Sequence, residues 1–459
     1  MKELEQYRKA LKKLPEGCTA AEAEAEKEER LLVEMSGTAL GRMSCSEQAE
    51  LFVRASGEKT GMVYTQKLDE DAEEVLKQAL KNSEVSASKE PELMSSPVLW
   101  EGKTPSQTAQ KLVSVKALKA AAAALANALH EEAEREQKQY GGEPEQIQLS
   151  VSQVIRTIGI VNSNGVDQTS SSCRFTAEAG TGSGYEEQIS SLTLEGLTAE
   201  PLIRSMKQRQ MIRQPQIPAE PGVYRAVLSS NTVNNILITA WQMFTARRAQ
   251  NGSTPFAGKE GQQIFSPCVT IRDYCGGPDT KNSVPCGYSW GMDCEGVPAQ
   301  DTVLVENGVL KTWMNNLATA KAGTMEPAGN AGRRTLLSGN IHTDMAIMPK
   351  NFTIESGNAT LEELLAACGD GIYIFENYDQ FHSLNVVSGD FAFPCKALRI
   401  KDGRPVGLMS GLTMNGNVRD LFAKVELLGR DRVIDPMAMY ESYTVSGPAM
   451  LVSELKISG

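Results

Sequence analysis

The sequence predicts an α+β fold: N-terminal α/β portions with hairpins and long helices, followed by a β-rich C-terminal domain of mostly antiparallel strands. Three observations predict it. Alternating runs share the first 212 residues with a long Ala- and Leu-rich helical stretch, a segment with three prolines interrupts the chain at 213–222, and beyond it short period-2 runs with frequent turns dominate. At 459 residues the chain exceeds the size at which one core stops growing. We therefore expect portions at 1–100, 101–215 and 221–459, with "RQPQIPAEPG" as the main boundary.

Residues 18–35, "CTAAEAEAEKEERLLVEM", alternate small and acidic side chains, which fits a half-exposed strand. "AELFVRASGEKTGMVYTQ" reads as a hairpin, and Asp69 is the expected cap of the acidic helix after it. The stretch 104–142 is the longest helical segment, with Gly141-Gly142 as its stop. Asn164-Gly165 between two alternating runs signals another hairpin, and "TAEPLIRSMKQRQ" a helix. After the boundary, "PGVYRAVLSSNTVNNILITAWQM" is a strand running into a helix. "QQIFSPCVTIRDY", "DTVLVENGVLKTWMNN", "GIYIFENYDQ", "GDFAFPCKALRIKDGRPVG" and "PAMLVSELKIS" are strands, with helices near 358–371 and 417–429.

Composition narrows the function classes. With 41% hydrophobic and 22% charged residues and no apolar run near 18 residues, the sequence offers no spanning helix, and its N-terminus lacks the apolar core of a signal peptide. A cytoplasmic location is expected. Net charge is −11, and residues 1–150 hold 20 Lys plus Arg against 27 Asp plus Glu. Such a chain repels phosphate backbones, and its best basic stripe, "IRSMKQRQMIRQ", is accounted for by a helix C-terminus, so nucleic acid is not an expected partner. Cys268, Cys275, Cys286 and Cys294 are separated by 6, 10 and 7 residues, which lacks the paired spacing of structural zinc.

No standard catalytic motif stands out. "HEEAE" at His130 has Glu at 134 where a zincin needs its second histidine, so a solvated charged face is expected there. His342 and His382 lie 40 residues apart without ligand spacing. "GTGSG" is neither a nucleophile elbow nor a phosphate loop. Asp293 and Glu295 stand one residue apart before a strand. They read as paired acids or as the frame of a tight turn with Gly296 and Pro298, and both readings stay open.

From this point the residues resemble a known family. "VNSNGVDQTSSS", "FAGKEGQQIFSP", "MDCEGVPAQDTVLVENGVLKTWMNNLATAKAG", "GNAGR", "GDGIYI", "VSGDFAF", "GLTMNGNV" and "GPAMLVSELKISG" occur in the order of the TldD/PmbA family, also labelled modulators of DNA gyrase. The resemblance covers most of 145–459. It implies that a TldD-like member carries zinc through HExxxH on the first helix of the C-terminal domain and a cysteine near the C-terminus, while a PmbA-like (TldE) member lacks them. Here that helix offers Asn234, Asn235 and Thr239, and "VIDPMAMYESYTVSGPAM" has no cysteine, so the resemblance is to the PmbA side.

The resemblance thus implies a non-catalytic subunit that helps enclose and bind extended peptide substrates, with no cofactor or metal ligand in this chain. Zinc is expected on a TldD-like partner, in a heterodimer, or a homodimer forms in isolation. Asp293, Glu295, Asn330, Arg333, Tyr373, Ser388, Gly389, Asp390 and Phe391 are the candidate substrate or partner surface. The alternatives are a stand-alone binding or scaffold homodimer with no role in proteolysis, and an independent hydrolase built on His342 and His382.

Overall fold

A computed structural model describes residues 1–86, 92–103, 111–141, 146–181, 186–276, 287, 289–333, 345–435 and 443–459, so His342 and Cys286 lie outside the described residues. The N-terminal elements are α1 (Glu5–Ala10), β1 (Ala20–Ser36), β2 (Ala39–Ser56), β3 (Thr60–Thr65), α2 (Ala72–Asn82), α3 (Val115–Tyr140), β4 (Ile147–Asn162), β5 (Asp167–Thr181), β6 (Glu186–Ser191) and α4 (Glu200–Gln210). The strands form one antiparallel sheet in the order β3-β2-β1-β4-β5-β6, which joins strands from both sides of residue 100.

The alternation in β1 assigns its two faces. Ala21, Ala23 and Ala25 are fully buried in a cluster with α1 and α2, where small side chains let the helices approach the strand closely. Farther along, Leu31, Val33 and Met35 meet Leu118, Ala122, Leu125 and Leu129 of α3. The expectation of a half-exposed strand needs correction: Glu22, Glu24 and Glu26 on the opposite face are also buried. The helix cap is corrected too. Asp71, not Asp69, accepts hydrogen bonds from the Glu73 and Glu74 amides. The Asn164-Gly165 hairpin forms as expected, with Gly165 at φ 95° between β4 and β5.

The C-terminal elements are β7 (Gly222–Leu228), α5 (Ser230–Ala240), α6 (Ala246–Gln250), β8 (Ile271–Tyr274), β9 (Thr302–Glu306), β10 (Val309–Leu310), α7 (Leu317–Gly323), β11 (Ala331–Gly332), β12 (Ala346–Ile347), β13 (Asn351–Ile354), α8 (Leu361–Cys368), β14 (Gly371–Asn377), β15 (Asp390–Lys401), β16 (Arg404–Asn417), α9 (Val418–Ala423), β17 (Val425–Asp435) and β18 (Thr444–Ser458). Ten strands make one sheet in the order β10-β9-β8-β13-β18-β16-β15-β14-β7, with β17 on β18. Because β18 also pairs with β7, the strands β18, β16, β15, β14 and β7 close a ring. The pairings are antiparallel except β13 with β18 and β14 with β7.

The largest core contains the ring's inner residues and a cluster of Phe244, Phe256, Phe265, Phe352 and Phe422, with ring centroids 5.2 to 6.3 Å apart. Helix α5 packs on β18 over Gly447. Among the described residues no helix is long and apolar enough to cross a membrane.

A Cβ at position 447 would lie 2.5 Å from Val233 Cγ1, so close approach of α5 requires glycine there. Gly447→Ala is expected to cost about 1–3 kcal/mol in chemical denaturation, and Val233→Ala in the same chain to restore part of it. A neutral Gly447→Ala would contradict this packing.

Candidate functional site

Helix α5 is capped by Ser229, whose side chain accepts from the Thr232 amide. Its polar side chains point at neighbouring backbone. Asn234 donates to the Val433 carbonyl at 3.0 Å and accepts from the Gly447 amide at 2.8 Å, tying β17 to β18. Asn235 donates to the carbonyl and side-chain oxygen of Asn377 at 3.0 and 2.9 Å, and the Thr239 hydroxyl donates to the Gln380 carbonyl at 2.7 Å. These side chains do not fit a zinc ion. They are amides and a hydroxyl rather than imidazoles, and their polar atoms already satisfy buried backbone groups.

The segment anchored by Asn235 and Thr239 leads into the turn that holds Ser388, Gly389 and Asp390. Asn417 fixes this turn by donating to the Ser388 carbonyl and to Asp390 Oδ1, both at 2.9 Å, and the second of these, with a hydrogen bond from the Ser388 side chain, holds the Asp390 carboxyl below its ordinary range. Gly389 takes φ 84° and Phe391 turns into the main core. His382 is exposed beside Asp379, with Nδ1 2.6 Å from Oδ1. Tyr373 is in a separate cluster with Leu364, Leu365 and Leu398. His130 sits half-buried on α3, 3.4 Å from Glu134.

The other four candidates converge where the C-terminal part covers the acidic face of β1. Asp293 Oδ1 accepts from the Glu295 and Val297 amides, both at 2.9 Å, and Oδ2 from the Ala331 amide at 2.8 Å. That is the turn frame the sequence left open. Glu295 accepts from the Leu317 amide at the start of α7, 2.8 Å away. Asn330 donates to Asp273, itself bound to Lys350 at 3.1 Å. Arg333 leaves β11 and enters the N-terminal sheet, where Nε donates to Glu24 at 2.5 Å and the guanidinium lies 4.7 Å from the Phe52 ring centroid.

Three carboxylates on one face of β1 thus meet three guanidiniums from three places. Glu22 pairs with Arg54 directly across on β2, Glu24 with Arg333, and Glu26 with Arg156 of β4 at 2.7 Å. All six side chains are at least 95% buried. Arg156 also lies 5.5 Å from the Trp290 ring, and Trp100 Nε1 donates to the Gly296 carbonyl at 2.9 Å. Our reading of the sequence missed Glu22, Glu24, Glu26, Arg54 and Arg156. The signal was present: an arginine inside "LFVRAS" and another inside "VIRTIGIV" each require a buried acid.

Burial at this junction shifts its acids. Burial raises Glu295 to about 8, with Asp293 adding and Arg54 opposing. Burial raises Glu24 to about 7 against the pull of Arg333, and Asp293 to about 6 against its three amide hydrogen bonds. Burial and the neighbouring Glu24 and Glu26 push the Cys294 thiol well up, which makes it a poor nucleophile. Glu24, Glu26 and Cys294 offer ligand atoms within 4.8 Å of one another, the one group of this kind among the described residues. Both carboxylates are engaged by arginines and the thiol resists ionisation, so this set does not fit a cation either.

Residues 221–459 match the profile of the PmbA/TldA metallopeptidase C-terminal domain. A Haemophilus influenzae protein named metalloprotease TldD homolog is 26% identical over 215 residues, covering 45% of this chain and 42% of the relative. The chain spans between about a third and a half of the length of the curated relatives it matches first. TldE from Thermococcus kodakarensis has the same fold, with a TM-score of 0.71 at 20% identity over 96% of this chain and 97% of its own. A Thermotoga maritima protein described as a candidate modulator of a DNA gyrase aligns with a TM-score of 0.70 at 23% identity, covering 96% of each.

Arg333→Met is expected to cost about 3–5 kcal/mol because it strands Glu24, and Glu24→Gln in the same chain to recover most of that; equal losses in the single and double variants would contradict the pairing. The pH dependence has a fixed sign. Folded acids raised above their ordinary values contribute full stability below about pH 4.5, and that contribution falls as pH rises toward about 8. Denaturation midpoints are expected to decline across this window, and less steeply in Glu295→Gln.

Proposed function

The chain belongs to the PmbA/TldD metallopeptidase family, and from that premise we propose that it is a non-catalytic subunit: it helps enclose and bind extended peptides while a TldD-like partner supplies the zinc. The observation that carries this reading is α5. Asn234, Asn235 and Thr239 stand where the family resemblance puts the metal-binding helix, and each is committed to a backbone contact that organises β17, β18 and the 377–391 segment. Helix α5, built this way, positions strands and offers no ligand to lower the pKa of a bound water.

Binding of extended chains suits a β-rich part, since strand edges pair with peptide backbone with little dependence on side chains. The Ser388–Phe391 turn is the candidate contact with substrate or partner. It is held by two hydrogen bonds from Asn417 and follows the exposed Val387. Asp293, Glu295, Asn330 and Arg333 have a different role, as the frame by which the C-terminal part grips the N-terminal sheet.

Mixing the purified chain with a TldD-like chain from the same source tests the reading. Peptide hydrolysis is expected only in the mixture, together with a stable complex on size exclusion. Hydrolysis by this chain alone, abolished by His382→Ala, would replace the reading with an independent hydrolase. A homodimer that neither binds the partner nor changes its activity would leave a scaffold.

A further inference from the structure

Outside the sites above, a cleft with room for about 190 Å³ opens at the edge of the acid–arginine junction. Its walls include Arg54, Thr60, Met62, Asn82, Glu92 and Arg333. Arg54 is 2% exposed and divides its guanidinium between two acids. Nε and Nη2 bind Glu22 in the interior, while Nη1 points the other way and donates to Glu92 at 2.8 Å. These acids differ in kind. Glu22 is 1% exposed and part of the sheet, whereas Glu92 is 41% exposed and belongs to a segment without regular structure, held at Thr60 by its own amide at 2.7 Å.

We infer that this cleft is a binding site for a ligand carrying a single carboxylate, the C-terminus or an acidic side chain of a peptide, and that Glu92 occupies the carboxylate position in the free protein. Exchange of Glu92 for a ligand carboxylate keeps the charge on Arg54 constant, so it needs no new counter-ion. Arg333, which also lines the cleft, adds a second guanidinium, and Met62 and Met345 offer flexible apolar contact to the atoms next to the carboxylate. A monocarboxylate that takes the place of Glu92 leaves the charge balance unchanged, whereas a dianion adds a negative charge beside Glu22 and Glu24, which selects against phosphate. The ligand class rests on the peptide-binding reading above.

The test is a calorimetric titration of this chain alone with N-acetyl-dialanine and with its amide, using wild type and Glu92→Ala. Because no partner or hydrolysis is involved, its failure is separate from a failure of the subunit reading. The acid is expected to bind Glu92→Ala on the order of 10-fold tighter than wild type, about the value of one charge-assisted hydrogen bond, with the amide silent. In labelled Glu92→Ala the methyl resonances of Met62 and Met345 are expected to move on addition of the acid. Equal binding of acid and amide, no gain in Glu92→Ala, or unmoved methyl resonances would each overturn the inference.

Discussion

The acidic face of β1 is the constraint on which the rest of the structure depends. One strand carries alanines on one side, small enough for α1 and α2 to pack closely, and glutamates on the other, which are costly to bury without partners. Two of the three counter-ions, Arg54 and Arg156, come from the neighbouring strands, and the third, Arg333, comes from the C-terminal part more than 300 positions away. The N-terminal sheet therefore has a complete set of partners only when the C-terminal part is in place. Arg333 in turn is aimed by the 290s turn and β11, which Asp293 holds together.

That arrangement explains which parts of the fold were legible in the sequence. The Asn164-Gly165 hairpin, the strand into α5 and the paired β15 and β16 follow from local turn chemistry and periodicity and form as expected, while α3 stops at Gly141 as expected but starts at Val115, capped by Ser114, with 111–114 outside the helix. Burial of Glu22, Glu24 and Glu26 was not legible, because alternation with acids has the same pattern whether that face meets water or a ring of arginines. Only the arginines inside apolar strands marked the difference, and their partners lie far off in sequence. Asp69 and Asp71 both precede the helix and look alike in sequence; it is at Asp71, with φ −62° and ψ 122°, that the side chain reaches the first amides.

The same distinction applies to the candidate site residues. Asp293, Glu295, Asn330 and Arg333 share one region because a turn and a short strand pair gather them, and their partners are backbone amides and buried charges. Ser388 to Asp390 sit elsewhere, in a turn held by Asn417. Tyr373 reads like its neighbours in "GIYI" from the sequence, yet it faces the opposite cluster, since a period of two sends adjacent residues to opposite sides of a sheet.

Helix α5 connects fold to function. Its polar side chains fasten β17, β18 and the segment after β14, so the helix organises the closed ring without offering a ligand to a metal. The most direct measurement is the zinc content of the purified full chain after dialysis, with its melting temperature recorded with and without added zinc. The account predicts no stoichiometric zinc and an unchanged melting temperature. One tightly held zinc per chain, with a melting temperature lowered by its removal, would contradict it.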